Sequence, residues 1–220
     1  MTETELLHWA RGPGLEYATI IFVFGMVLRF VEILMLGRKK NLSELRSNGV
    51  AAGMRTIITR SVPPDKNTFR RSVYTMVAGY IFHIGLFVAV FMLAPHIEIF
   101  ESVFGLVWPA LPTPVVDFFV VLALISMLAI LWHRLTHPVI KFLSTGQDYL
   151  VWVLTFLPLL TGYMSYHHLF VPYTTMLALH IISVELLMVM FPFTKLTHAF
   201  TFVQSRYYNG MLAGQKGVRQ

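Results

Sequence analysis

The sequence predicts an all-α integral membrane protein, a single bundle of five transmembrane helices over residues 1–220. Of its 220 residues, 56% are hydrophobic and 13% are charged, and the mean hydropathy is +0.65. These values are too apolar for a soluble domain. Five apolar runs are each long enough to cross about 30 Å of hydrocarbon as a helix. They cover residues 15–36, 73–94, 115–132, 149–166 and 173–203.

Basic residues predict the orientation of the bundle. Nine of the 17 Lys and Arg lie between the first and second runs, whereas loops 95–114 and 167–172 contain none. By the positive-inside rule, the N-terminus is outside and the C-terminus cytoplasmic in a multi-pass protein of the cell inner (cytoplasmic) membrane. The net charge of +6 therefore reflects topology. No motif for nucleic-acid binding accompanies it, so no nucleic-acid partner is expected beside the lipid bilayer.

The chain has no cysteine, which excludes disulfides, iron–sulfur clusters and c-type haem attachment within it. Any redox cofactor must therefore be held by histidine or without a covalent link. The first apolar run follows Glu3 and Glu5 rather than a basic segment, so we expect it to remain as an anchor and not to be cleaved as a signal peptide.

The first run contains two charged residues, Arg29 and Glu32. Ionisable groups at this depth are costly and usually face the bundle interior or a polar cavity. Arg29 therefore either pairs with Glu32 one turn further on or is held for an anionic partner, and the two roles are compatible. The basic loop that follows contains an amphipathic segment at 42–60, ended by Pro63 and Pro64. This loop is either a solvated topogenic segment or the dock of a cytoplasmic subunit.

Histidines in the second and fifth runs are the candidate ligands. His180 and His198 are 18 residues apart, which on one continuous helix places them on the same face about 27 Å apart. His83 lies in the second run between Gly79 and Gly85, which either favour close helix packing or leave room for a flat macrocycle. His83 and His198 could thus supply two axial ligands of one b-type haem from two helices.

Three stretches resemble a known family. FHIG at 82–85, the Gly25 and Arg29 pattern, and HIISVELLMVMFPFTKLTH at 180–198 resemble the gamma, cytochrome b, subunit of respiratory nitrate reductase. Related membrane subunits of heterodisulfide-reductase-like and sulfite-reduction-associated complexes are also similar. The resemblance covers nearly the whole chain. It implies that His83 and His198 are the metal ligands of a haem b near the cytoplasm, with Arg29 at a haem propionate.

The resemblance also implies partners. A subunit of this kind carries electrons between a membrane quinone, menaquinone or ubiquinone, and a cytoplasmic iron–sulfur or heterodisulfide-reductase-like redox subunit. It is an electron-transfer component of an oxidoreductase complex rather than a stand-alone enzyme. The alternative with the same fold is a membrane anchor without haem.

The chain departs from the family pattern at Leu93, where the family has the histidine that pairs with the equivalent of His180. The nearest histidine, His96, follows Pro95 and lies about 140° round a continuous helix from His83. We therefore expect one haem. His180 then has a structural role or lines a quinone pocket; with two haems, His96 is the first candidate for its partner.

A histidine-rich membrane metal oxygenase is the alternative enzyme class. His133 and His137, at i and i+4, share a helical face and would lie on the cytoplasmic side. His167 and His168 would lie at the outer side, and groups on opposite sides cannot share a metal pair. A further buried charge, Glu185, either forms a hydrogen bond within the bundle or carries protons.

Overall fold

The computed structural model describes residues 2–36, 44–61 and 66–218, and within them it contains helices and turns but no strand. The α-helices are α1 (Glu3–Trp9), α2 (Leu15–Met35), α3 (Gly49–Thr59), α4 (Lys66–Met92), α5 (Ala94–Phe104), α6 (Thr113–Thr136), α7 (Pro138–Leu143), α8 (Gly146–Tyr166), α9 (Tyr173–Met190) and α10 (His198–Gln215).

Five helical segments of the described chain are long and apolar enough to cross a membrane. Large apolar side chains are exposed along them, as at Phe24, Phe87 and Phe118, which is the surface expected of helices that face lipid. The prediction of five apolar helices suited to a multi-pass membrane protein is therefore confirmed. The segments are Glu3–Met35, Phe69–Met92, Thr113–Thr136, Gly146–Tyr166 and Tyr173–Phe193.

The described residues form two compact units. The first comprises Met1–Val23 and Tyr74–Thr194, and the second comprises Phe24–Val73 and Lys195–Gln220. The core of the first unit is a cluster from α4, α6 and α8 that includes Ala89, Val120 and Leu159.

Gly85 brings α4 close to α6 in the first unit. A Cβ atom at Gly85 would lie 2.6 Å from the Cβ of Ala123 and would also meet the carbonyl of Phe119. Of the two explanations for the glycines around His83, close packing therefore applies to Gly85. Gly79 has open space where a Cβ would stand.

The helix that begins the first unit is not α-helical throughout. Ala10–Gly14 forms a π-helical turn between α1 and α2, with Pro13 inside it. Proline lacks the N–H that an α-helical turn would use, and a π-turn is one way for a helix to continue past it. Small buried residues at Ala10, Gly14 and Ala18 recur every four residues, so they form one face of the helix.

The second unit is built on the pairing of α3 with α10. Glycines at the contact let the two backbones approach, since a Cβ at Gly53 would lie 2.8 Å from the ring of Tyr207 and one at Gly214 would meet Ala52. Asn48 caps the start of α3 by accepting from the backbone N–H of Val50. The predicted amphipathic segment thus contains α3, while residues 42–43 and the Pro63–Pro64 breaker lie outside the described residues.

The prediction of one continuous helix over residues 173–203 is wrong. α9 ends at Met190, two 3₁₀ turns follow at Phe191–Phe193 and Lys195–Thr197, and α10 begins at His198. Pro192 is the physical reason, because its ring and missing N–H prevent the α-helix from continuing. His180 and His198 therefore lie on separate helices, in different units.

Candidate functional site

Three of the candidate histidines share one hydrogen-bond pattern. The Nδ1 atom of His83 lies 2.7 Å from the carbonyl oxygen of Gly79, that of His96 lies 2.7 Å from the carbonyl of Ala89, and that of His198 lies 2.8 Å from the carbonyl of Lys195. A carbonyl oxygen only accepts, so in each bond Nδ1–H donates. The lone pair of each neutral ring then resides on Nε2, as in metal-ligating histidines whose other nitrogen is held by a backbone carbonyl.

His180 reaches the same state through a side chain. The hydroxyl of Thr161 donates to the carbonyl of Leu157 at 2.7 Å, which leaves its oxygen to accept from Nδ1 of His180 at 3.4 Å. Ser183 lies 3.1 Å from the Thr161 hydroxyl and donates to the carbonyl of His180 at 2.7 Å. The imidazole is thus surrounded by small polar groups on α8 and α9.

The structure brings His96 and His180 together. Their ring centroids are 6.2 Å apart and their planes are inclined by 28°. A metal–imidazole nitrogen bond is about 2 Å and the ring centre lies about 1 Å further, so imidazoles on opposite sides of one metal have centres about 6 Å apart. The separation matches that of two imidazoles that hold one metal, as in the b-type haem that the resemblance implies for His83 and His198.

The end of α4 determines the position of His96. α4 ends at Met92, Leu93 is extended with φ −83° and ψ 129°, and α5 starts with Pro95 in its first turn. His96 then reaches back to the carbonyl of Ala89, in the last turn of α4, where carbonyls lack helical partners. The angle of about 140° from His83 assumed a continuous helix and does not apply. Pro95 was the signal that this helix ends.

Leu93 itself packs against the core cluster of the first unit. The position at which the cytochrome b subunits that the sequence resembles have a histidine is therefore filled by an apolar side chain that contributes to packing. A histidine three residues later faces His180 instead.

Gly162 fixes the imidazole of His180 from the side of α8. A Cβ atom at Gly162 would lie 2.9 Å from Cε1 and 3.2 Å from Nδ1 of His180. Contacts below 3.0 Å are hardly seen in proteins, so any larger residue at this position would push the ring away.

His83 and His198 belong to different units, and both side chains are exposed. Their pairing remains a prediction from the sequence. In the second unit, Arg29 and Glu32 form the predicted ion pair at 2.8 Å. Both line an open cleft of about 630 Å³ that also includes Thr197, the residue before His198.

The other predicted histidines do not come together in one cluster. The rings of His133 and His137 have centroids 5.0 Å apart, and Nε2 of His167 bonds to Oδ1 of Asp117 at 3.0 Å. His168 instead contacts the ring of Tyr173. Within residues 2–36, 44–61 and 66–218, no group of three or more His, Cys, Asp or Glu is placed to hold a metal ion. The ligand set of a di-iron oxygenase is therefore not found in the described part of the chain.

Comparison with known proteins gives a full-length relative. The chain is 32% identical to a protein of Nitratidesulfovibrio vulgaris strain Hildenborough over 205 residues, which cover 91% of this chain and 90% of that protein. No family model matches the chain, and no solved structure matches it.

Proposed function

We propose that this chain, which belongs to the same family as the Nitratidesulfovibrio vulgaris protein, is a b-type haem subunit of a respiratory complex in the cytoplasmic membrane. It would carry electrons between menaquinone or ubiquinone and a cytoplasmic iron–sulfur or heterodisulfide-reductase-like subunit. The resemblance of its second and fifth apolar runs to cytochrome b subunits of that kind motivates the proposal.

The observation that carries the proposal is the approach of His96 to His180. Two imidazoles from different helices lie with their ring centroids 6.2 Å apart. The Nδ1 atoms of both rings are hydrogen-bonded, to the carbonyl of Ala89 and to the hydroxyl of Thr161. Metal-ligating histidines are commonly held by one ring nitrogen in this way while the other binds the metal.

The chain's own residues would hold and insulate the cofactor. A bound haem supplies one-electron chemistry, while the protein contributes axial ligation, burial and hydrogen bonds to the ligands. Ala89 and Thr161 orient the two rings through their Nδ1 atoms. For the haem that the resemblance assigns to His83 and His198, Arg29 offers a guanidinium suited to a propionate, a charge-assisted contact that is stronger than a neutral one.

This arrangement favours two haems over the single one expected from the sequence. Leu93 argued against a second haem because it removed the family's histidine. His96 supplies an imidazole to His180 from another position, so we assign a haem to His96 and His180, in addition to the one that the resemblance implies for His83 and His198.

Haem stoichiometry tests the proposal. The full chain, purified in detergent with its haem, should give a b-type reduced-minus-oxidised spectrum and about two haems per polypeptide. His96→Ala and His180→Ala should each remove about half of the haem, and the spectral component that is lost should be the same in both variants. His137→Ala, which removes an exposed histidine outside the pair, is the matched control and should keep both haems.

Two outcomes would contradict this assignment. A purified wild-type chain without haem would favour the haem-free anchor. A wild-type chain whose haem content is unchanged in both His96→Ala and His180→Ala would return the pair to a structural role or to a quinone pocket.

A further inference from the structure

Glu185 is a buried carboxyl group in the middle of α9. Its side chain is 6% exposed, and its Oε1 atom has no hydrogen-bond partner among the described residues. The hydrogen bond within the bundle that the sequence offered as one explanation is therefore not present for this oxygen. A buried polar atom that remains unpaired requires a reason, because pairing is the rule in protein interiors.

The carboxyl group lies against the backbone of the N-terminal helix. A Cβ atom at Gly14 would stand 2.8 Å from Oε1 and 3.0 Å from Oε2 of Glu185. Gly14 is buried and belongs to the π-helical turn Ala10–Gly14. Such turns are rare and occur frequently at functional sites. The contact leaves no room for an organic ligand on this side of the carboxyl group, whereas the binding of a proton requires no additional space.

No charged residue on the neighbouring helices bonds to this carboxyl group in the described structure. Glu3, Glu5, His8 and Arg11 of the N-terminal helix are exposed. Asp148 of α8 is engaged at the start of its own helix, with Thr145 and Arg134. An ionised carboxylate without a partner is strongly disfavoured in an apolar interior, so the neutral acid is the form that this site stabilises.

We propose that Glu185 is a proton-exchanging carboxyl group inside the bundle, and that its proton moves when the bundle changes redox state. The coupling to redox change rests on the proposed function. In this step the bundle passes one electron to a quinone, and the protonated carboxyl gives one H⁺ to the quinone oxygen that gains the negative charge. The carboxylate takes one H⁺ back when the electron returns, so the net charge of the bundle stays constant.

The location of Glu185 supports the coupling. It follows His180 by five residues on α9, which is a rise of about 7.5 Å along the helix. A carboxyl group at this distance is close enough to sense a charge change at His180 through a low-dielectric interior, where Coulomb interactions are weakly screened.

Infrared spectroscopy tests the first half of the proposal without any cofactor. The full chain in membranes should show the carbonyl stretch of a protonated carboxylic acid in an apolar site, and this band should shift to lower frequency in D₂O. Glu185→Gln should abolish the band, whereas Glu32→Gln, which alters an ion-paired carboxylate, should leave it. Gly14→Ala should shift the band without removing it. If Glu185→Gln does not fold, Gly14→Ala is the variant that assigns the band to Glu185. A missing band, or one that does not respond to D₂O, would overturn the proposal.

Redox-induced difference spectra of the haem-loaded protein test the second half. The Glu185 band should change on reduction and reverse on oxidation in the wild type, and this change should be lost in Glu185→Gln. A band that is present but unaffected by redox cycling would refute the coupling. A chain that binds no haem would instead refute the proposed function, and the D₂O result would still decide whether the carboxyl exchanges its proton.

Discussion

Gly162 and His180 are in contact across α8 and α9, with only 2.9 Å between a Cβ built on the glycine and Cε1 of the imidazole. The glycine therefore defines how near α8 comes to the ring. It also leaves the Thr161 hydroxyl, one residue earlier, within 3.4 Å of Nδ1.

The first prediction is that Gly162→Ala displaces the His180 ring. The added methyl overlaps Cε1 and Nδ1, so the ring must rotate or α8 must shift, at a cost of about 1–3 kcal/mol. We expect a loss of up to half the haem and an altered ligand field in the electron paramagnetic resonance spectrum. Gly146→Ala, in the same helix with no atom within 4 Å of the new Cβ, should match the wild type. Equal spectra for the two variants would show that the ring is not a ligand.

The second prediction concerns His83 and His198. Their alanine variants should each abolish one haem signal, and the same one, because the proposed function makes these two residues the ligands of one haem. Membrane insertion should be unchanged, as followed by expression of a C-terminal fusion. Full haem content in either variant would remove that residue from the ligand set. A double variant of His83 and His96 should lack haem altogether.

The third prediction is the orientation in the membrane. A reporter fused after Gln220 should behave as cytoplasmic and one inserted near residue 105 as external, since loop 95–114 has no Lys or Arg and the segment between the first two spans has nine. Alkaline phosphatase and a cytoplasmic fluorescent reporter would measure this at both positions. The opposite pattern would place the proposed redox partner on the outer side of the membrane.

The fourth prediction concerns the pairing of α3 with α10. Gly53→Leu should separate the two helices, because even a Cβ at Gly53 would lie 2.9 Å from the carbonyl of Tyr207. Amide hydrogen exchange in both helices should become faster by roughly 5- to 30-fold, the factor for a loss of 1–2 kcal/mol. Ala51→Leu, at an exposed position of α3, should leave exchange unchanged. Similar rates in the two variants would mean that the glycine contact contributes little.

The five apolar helices could be predicted because length and hydropathy alone determine which segments suit a bilayer. The Arg29–Glu32 ion pair could also be predicted, since both residues lie on one turn of one helix. These features depend only on local sequence.

The pairing of His96 with His180 could not be obtained in that way. It depends on the extended Leu93, which redirects the chain after α4, and on the glycine at 162, which admits the ring. A rule that treats the run as one straight helix places His96 on the wrong face. The helix also ends near Pro192, so the spacing of His180 and His198 on one continuous helix does not apply, although the proline itself was visible in the sequence.

The π-helical turn at Ala10–Gly14 has a consequence for comparing sequences in this family. A π-turn holds one residue more than an α-turn, so such a turn can arise by a single-residue insertion. Removing one residue between Ala10 and Gly14 would turn the π-turn into an α-turn and leave both α1 and everything after Leu15 on the same faces of the helix. Relatives that lack the insertion should show a one-residue gap there. Their residue equivalent to Trp9 would still lie on the same side of the helix, whereas an alignment without the gap would pair Trp9 with a residue that faces another direction.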